Sequence, residues 1–160
     1  MTEEVPVAGD EPETILCDTS FVSVVQSAEQ HGGMAATWAD ADRARLDAAV
    51  LAISVIALAE LRDGHIYGGW GESRRRRAEQ RIATYLLVPL DMTIVDRCAE
   101  LRAACRSSGV TVPDNDIWIA ATASTRGWSL ASCDGHFDLI RGIDHYRLPL
   151  PPWAPGGPAD

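Results

Sequence analysis

The chain has 160 residues, of which 46% are hydrophobic and 23% charged, with a formal net charge of -9; that suits one domain with a single substantial core. The acidic balance argues against a broad basic face for duplex nucleic acid, yet it is compatible with an acid-lined site flanked by local basic patches. Every basic residue is an arginine, which excludes chemistry that needs a lysine, such as the Walker P-loop and Schiff-base catalysis.

Residues 1–13 are acidic, contain prolines and have no periodicity, so a flexible tail is expected there. The start Met1-Thr2-Glu3-Glu4 lacks the basic and apolar regions of a secretory signal, and no apolar stretch is long enough to span a bilayer; a cytoplasmic protein is expected. Residues 14–17 form an apolar run ending in Asp18-Thr19-Ser20, which reads as a buried strand leading into a helix through Phe21, Val24 and Val25. Gln30-His31-Gly32-Gly33 breaks that helix. A second helix is expected over residues 36–48 and a second strand over Val50–Ser54. The next helix carries Glu60 and is expected to end near Asp63-Gly64, before a turn through Tyr67-Gly68-Gly69-Trp70-Gly71.

Glu72-Ser73-Arg74-Arg75-Arg76-Arg77 opens a further helix. Its arginine run reads either as a solvated face paired with nearby acids or as contacts for phosphates or a partner's carboxylates. Leu86–Leu90 is a short strand, and Asp91 caps a helix with an apolar stripe at Ile94, Cys98, Leu101 and Cys105. After Pro113 comes an alanine-rich helix expected to turn Ile117, Ala120, Ala121 and Ala123 to the sheet. A strand follows from Trp128 to Ser132, then a short helix through Asp138 and a final edge strand at residues 146–150. Residues 151–160 are rich in proline and glycine and are expected to lie outside the core as a C-terminal tail. The alternation predicts an α/β fold: one domain over residues 14–150, with a mainly parallel sheet of four to five strands covered by helices on both faces.

The acids are distributed within this frame in a pattern. Asp18 and Asp134 each follow an apolar strand, Asp116 stands in the first turn of the alanine-rich helix, and Glu60 lies one or two turns beyond the second strand. Ligands of open parallel sheets bind outside the carboxyl ends of the strands, where the strand order reverses, so the four could share one cleft. Taken singly, each has a plainer reading. Asp114 or Asp116 would cap a helix, and a helical glutamate is usually solvated. Cys17, Cys98, Cys105 and Cys133 lack paired spacing and read as small buried thiols. His31, His65, His136 and His145 lack ligand spacing and read as surface or loop residues.

Four motifs in order resemble PIN-domain ribonucleases of the VapC toxin type: the strand ending in Asp18-Thr19-Ser20; Ile53-Ser54 followed by Ala59-Glu60-Leu61; Asn115-Asp116-Ile117-Trp118-Ile119-Ala120-Ala121-Thr122-Ala123; and Ser132-Cys133-Asp134 followed by Phe137. The resemblance implies a PIN-like three-layer α/β/α sandwich with Asp18, Glu60, Asp116 and Asp134 as the catalytic, metal-holding acids. Ser132 stands where the family commonly has threonine, and Asp114 and Asp138 are extra acids able to assist or replace Asp134. Haloacid dehalogenase-like phosphatases are a poorer match, because they need a lysine and a second acid where this chain has Ser20.

Close carboxylates repel and raise one another's pKa unless a cation is present, and a set of hard oxygen donors favours Mg²⁺ or Mn²⁺ over zinc. The resemblance implies a metal-dependent endoribonuclease that limits translation, inhibited by a cognate VapB-type antitoxin, and a homodimer. Two other readings are a catalytically silent PIN-like module that binds protein or RNA, and a metal-dependent phosphatase for small phosphate esters.

Overall fold

Apolar runs too short for buried helices become strands, each handing over to a helix where a polar residue can cap it. In the computed structural model, which describes residues 11–157, β1 (Thr14–Cys17) leads to α1 (Thr19–Ala28), then α2 (Asp40–Ala48), β2 (Val50–Ser54), α3 (Val55–Tyr67) and α4 (Glu72–Ile82). β3 (Leu86–Val88), α5 (Met92–Ser107), α6 (Asp114–Arg126), β4 (Ser129–Ser132) and β5 (His145–Arg147) complete the order. Asp18, Ser54 and Asp91 cap α1, α3 and α5 by accepting from the backbone N–H of Phe21, Ala57 and Ile94, which satisfies donors that a helix start leaves open.

The five strands are all parallel, in the order β3-β2-β1-β4-β5. Alternation along each strand divides the core. Leu16, Ala52 and Leu130 face a cluster filled by Ile94, Cys98, Leu101 and Cys105 of α5 and by Ile117, Ala120 and Ala121 of α6. Ile15, Cys17, Ile53 and Ala131 face the opposite cluster, with Phe21, Leu46, Leu61 and Ile82 from α1 to α4. This is the expected α/β/α sandwich, with β1 and β4 buried on both faces. All four cysteines are buried free thiols. Successive strands move outward from β1 to β3, and the chain then returns to place β4 on the other side of β1. The carboxyl ends of β1 and β4 therefore flank the point where the order reverses, the usual position for a site in such sheets.

Several boundaries differ from expectation for identifiable reasons. α3 runs past Asp63-Gly64 to Tyr67, because burial of Leu61 and His65 outweighs the roughly 1 kcal/mol cost of a helical glycine. His65, expected at the surface, is buried and stacks on Trp70 at 4.3 Å. The second helix begins at Asp40 rather than residue 36; Trp38 is held out of helical register by stacking on Phe21 at 5.1 Å and donating to the Pro149 carbonyl at 3.0 Å. β5 covers His145–Arg147, not residues 146–150, since Pro149 has no N–H for a ladder.

The tails also need correction. Residues 1–10 and 158–160 of the expected tails lie outside the described residues. Glu13, however, accepts from Val50 N–H and pairs with Arg45. Residues 151–157, expected outside the core, lie on it: Pro151 and Ala154 are buried, Trp153 packs on the α1–α4 side, and His31 stacks on Trp153 at 4.3 Å. No helix among the described residues is long and apolar enough to cross a membrane. Trp153→Ala is expected to lower the unfolding free energy by about 1–2 kcal/mol. Urea denaturation measures this, and an unchanged midpoint would detach the C-terminal segment from the fold.

Candidate active site

Asp18 is the most constrained of the four acids. Only 4% exposed, it sits one residue past β1, and its backbone N–H extends the ladder by donating to Ala131 O at 3.1 Å. Its Oδ1 accepts from Phe21 N–H at 2.9 Å, Ser20 Oγ lies 2.8 and 2.9 Å from the two carboxylate oxygens, and Ser132 Oγ donates to Oδ2 at 2.9 Å. The two serines also accept backbone N–H bonds from β4's exit: Cys133 to Ser20 at 3.0 Å and Asp134 to Ser132 at 2.8 Å. The ends of β1 and β4 are thus laced together by hydroxyls. Burial holds the Asp18 carboxyl above the usual carboxylate range, against the opposite pull of these hydrogen bonds.

Asp116 comes to the same place from the first turn of α6, with its side chain 14% exposed. Pro113 occupies the cap position of that helix, and neither Asp114 nor Asp116 caps it. Burial, then the charge of Asp134, then those of Glu60 and Asp18 push the Asp116 carboxyl up to about 6, with His136 opposing. Glu60 is half-buried on α3 and is held at both oxygens: the Thr19 hydroxyl donates to Oε2, and Asn115 Nδ2 donates to Oε1 at 2.9 Å. The residues that fix Glu60 are therefore neighbours in sequence of Asp18 and Asp116. Asp134 follows β4 and accepts from His136 N–H at 2.9 Å.

The structure thus brings Asp18, Glu60, Asp116 and Asp134 to one cleft and removes the two spare acids from it. Asp114 pairs with Arg102 on α5 at 3.1 Å. Asp138 pairs with His145 at 2.7 Å and with Arg147. His136, dismissed on sequence spacing, stands in the cleft. Its Nδ1 is 3.1 Å from Asp134 Oδ1 and 3.3 Å from Asp116 Oδ2. Asp116, Asp134 and His136 present ligand atoms all within 4.8 Å of one another, a spacing that fits one cation. The only sequence signal for His136 was its position two residues after Asp134, and a loop histidine commonly stands there without a role.

Residues 15–143 match the PIN domain family. The chain belongs to that family. VapC ribonuclease Y4jK of Sinorhizobium fredii is 30% identical over 147 residues, covering 88% of this chain and 99% of that protein. Ribonuclease VapC5 of Mycobacterium tuberculosis is 32% identical over 94 residues, 58% of this chain and 70% of its own length. These relatives make this a VapC-type PIN domain. The fold matches VapBC2 of Rickettsia felis bound to a DNA fragment from its promoter, with a TM-score of 0.69 and 19% identity over 84% of this chain and 98% of that one. It also matches VapBC-5, a toxin–antitoxin system of M. tuberculosis, with a TM-score of 0.63 and 25% identity over 86% of this chain and 100% of the other.

The raised Asp116 carboxyl has a consequence for stability. Its folded pKa exceeds its unfolded value, so the native state binds more protons between about pH 4 and 6. Metal-free stability accordingly falls as pH rises through that window, and the penalty is complete above it. Asp116→Asn should therefore stabilise the metal-free protein at pH 7.5 by about 1–2 kcal/mol and flatten its stability between pH 4 and 7. Urea unfolding in EDTA reads this directly, and destabilisation at pH 7.5 would contradict it.

Proposed function

We propose that this protein is a divalent-metal-dependent endoribonuclease, the toxin of a toxin–antitoxin pair, restrained by a VapB-type antitoxin. The observation that carries the reading is the convergence of Asp18, Glu60, Asp116 and Asp134 at the sheet's reversal point. The chain that holds them is 30% identical, over 88% of its length, to a protein named as a VapC ribonuclease.

The donor set fits a hard divalent ion: carboxylate oxygens dominate, and Asp116 is raised by burial and then by neighbouring carboxylates whose charge such an ion would offset. Asp18 and Asp116 would hold it directly, with Asp134 beside them. A bound Mg²⁺ or Mn²⁺ supplies charge neutralisation on the phosphate oxygens and makes water a competent nucleophile near neutral pH. Asp18 enters the reaction already oriented, because Ser20, Ser132 and the Phe21 N–H fix its rotamer. Glu60, fixed by Thr19 and Asn115, and the partly exposed Asp134 would orient the attacking water and take its proton. RNA as substrate implies the cytoplasm as the place of action. Leu86, Leu87, Leu90 and Met92 expose apolar surface along and beyond the edge strand β3, a surface of the kind a homodimer would cover.

Purified protein freed of antitoxin should cut total cellular RNA into discrete fragments with Mg²⁺ or Mn²⁺. EDTA, Asp18→Asn or Asp116→Asn should each reduce cleavage at least about 100-fold. Equal cleavage by Asp116→Asn would refute the assignment. The nitrogen of His136 further biases the site towards Mn²⁺, which accepts imidazole more readily than Mg²⁺ does. His136→Ala should weaken Mn²⁺ binding about ten-fold and leave Mg²⁺ binding nearly unchanged, as read by Mn²⁺ paramagnetic resonance with Mg²⁺ competition. Equal losses for both ions, or none, would exclude His136 as a ligand.

A further inference from the structure

In a protein of net charge -9, uncompensated positive charge is informative. Most arginines have a carboxylate partner: Arg76 pairs with Glu72, Arg81 with Glu29 and Arg62 with Glu79. Arg74, Arg75 and Arg77 form no ion pair among the described residues. Three free guanidinium groups therefore stand together at the start of α4, beside a helix that carries one of the site's acids.

They are connected to the cleft. A groove of about 220 Å³ starts at Thr19 and Glu60 and runs between α1 and α3 to His65 and Trp70. Gln26 and Trp70 also line a second depression, with Arg74, Arg77 and Arg81 and with Glu29, the carboxylate that pairs with Arg81. The two depressions adjoin at Gln26 and Trp70, so a channel from the acid cluster to the unpaired arginines can follow them. Trp70 organises the junction. His65 stacks on one face of its ring at 4.3 Å, and the Arg74 guanidinium lies 3.5 Å from its centroid. Burial keeps His65 below its ordinary pKa and so neutral, which leaves Arg74 as the charge on that stack and sets its position before any ligand arrives. Arg77 is oriented by donating to Ser73 Oγ at 2.9 Å. Gln26 Oε1 accepts from His65 Nε2 at 3.3 Å, and the Gln26 Nε2 is buried without a hydrogen-bond partner.

We propose that this channel is the path of the RNA strand away from the scissile bond, with Arg74 and Arg77 contacting its backbone phosphates. The inference rests on the ribonuclease reading above. Without a metal ion the acid cluster repels phosphate, so attraction for the strand must come from cations outside the cluster, and these lie at the channel's end. Single strands are held in this way elsewhere, by a cationic groove with aromatic side chains along it. An acidic protein segment would use the same charges, but a strand whose phosphate is cut at Glu60 and Asp116 has to leave the cleft through an adjoining groove.

The test measures binding of a fluorescein-labelled single-stranded RNA of mixed sequence by anisotropy, in EDTA, using the full chain with Asp116→Asn to prevent cutting. Adding Arg74→Ala and Arg77→Ala should weaken binding about ten-fold and reduce the slope of log K against log salt by about 1.4, the effect of two lost phosphate contacts. Arg106→Ala with Arg141→Ala removes the same charge elsewhere and should leave the slope unchanged; circular dichroism verifies folding of both. Equal loss in the two double variants, or no loss in the first, overturns the proposal. So does loss of antitoxin binding with RNA binding intact, which would make the channel a protein site. Cleavage by the Asp116 protein is scored separately: cleavage with an unaffected Arg74/Arg77 variant overturns the channel alone, whereas neither binding nor cleavage overturns the ribonuclease reading with it.

Discussion

The site depends on the hydroxyl lacing between the exits of β1 and β4. Ser20 and Ser132 both bond the Asp18 carboxylate and both accept backbone N–H groups from the segment after β4. Two strands distant in sequence are thereby fixed in register at the point where the sheet order reverses, and a buried carboxylate is held in one rotamer between them. Parallel strands alone would bring Asp18 and Asp134 near each other. The serines determine how near, and they satisfy polar groups that would otherwise be costly to bury.

Contacts from Thr19 and Asn115 extend this order to Glu60. Thr19 and Asn115, adjacent to Asp18 and Asp116, hold Glu60 from both sides, so α1, α3 and α6 are tied through one side chain. Burial first, and then the charges of Asp134, Glu60 and Asp18, lift the Asp116 carboxyl to about 6, so the metal-free cleft carries an electrostatic cost that a bound cation would relieve. In our reading that is the expected signature of a site shaped for a cation: side chains are oriented in advance and charge is left for the ligand to balance.

Much of this was legible in the sequence because buried parallel strands are short apolar runs with polar exits. β1, β2 and β4, the alanine-rich face of α6 and the stripe on α5 all follow from that rule. Asp18 and Asp134 could be located by their places after strands. Asp116 could not be told from Asp114, nor Asp134 from Asp138, by spacing. What separates them is Arg102 for the one and His145 with Arg147 for the other, and partners supplied by a different helix or strand leave no periodic trace. The same applies to Trp153, whose proline- and glycine-rich surroundings read as a tail although the side chain packs on the core. His136 and the Trp70 stack were missed because their roles arise from tertiary contacts alone.

The central claim is that the laced acid cluster is a divalent-metal site, and anomalous diffraction from crystals of the full chain soaked in Mn²⁺ tests it most directly. The account predicts a peak within coordination distance of Asp18, Asp116 and Asp134, absent from Asp116→Asn crystals treated identically. No peak in the cleft, with Mn²⁺ bound elsewhere or not at all, would contradict it.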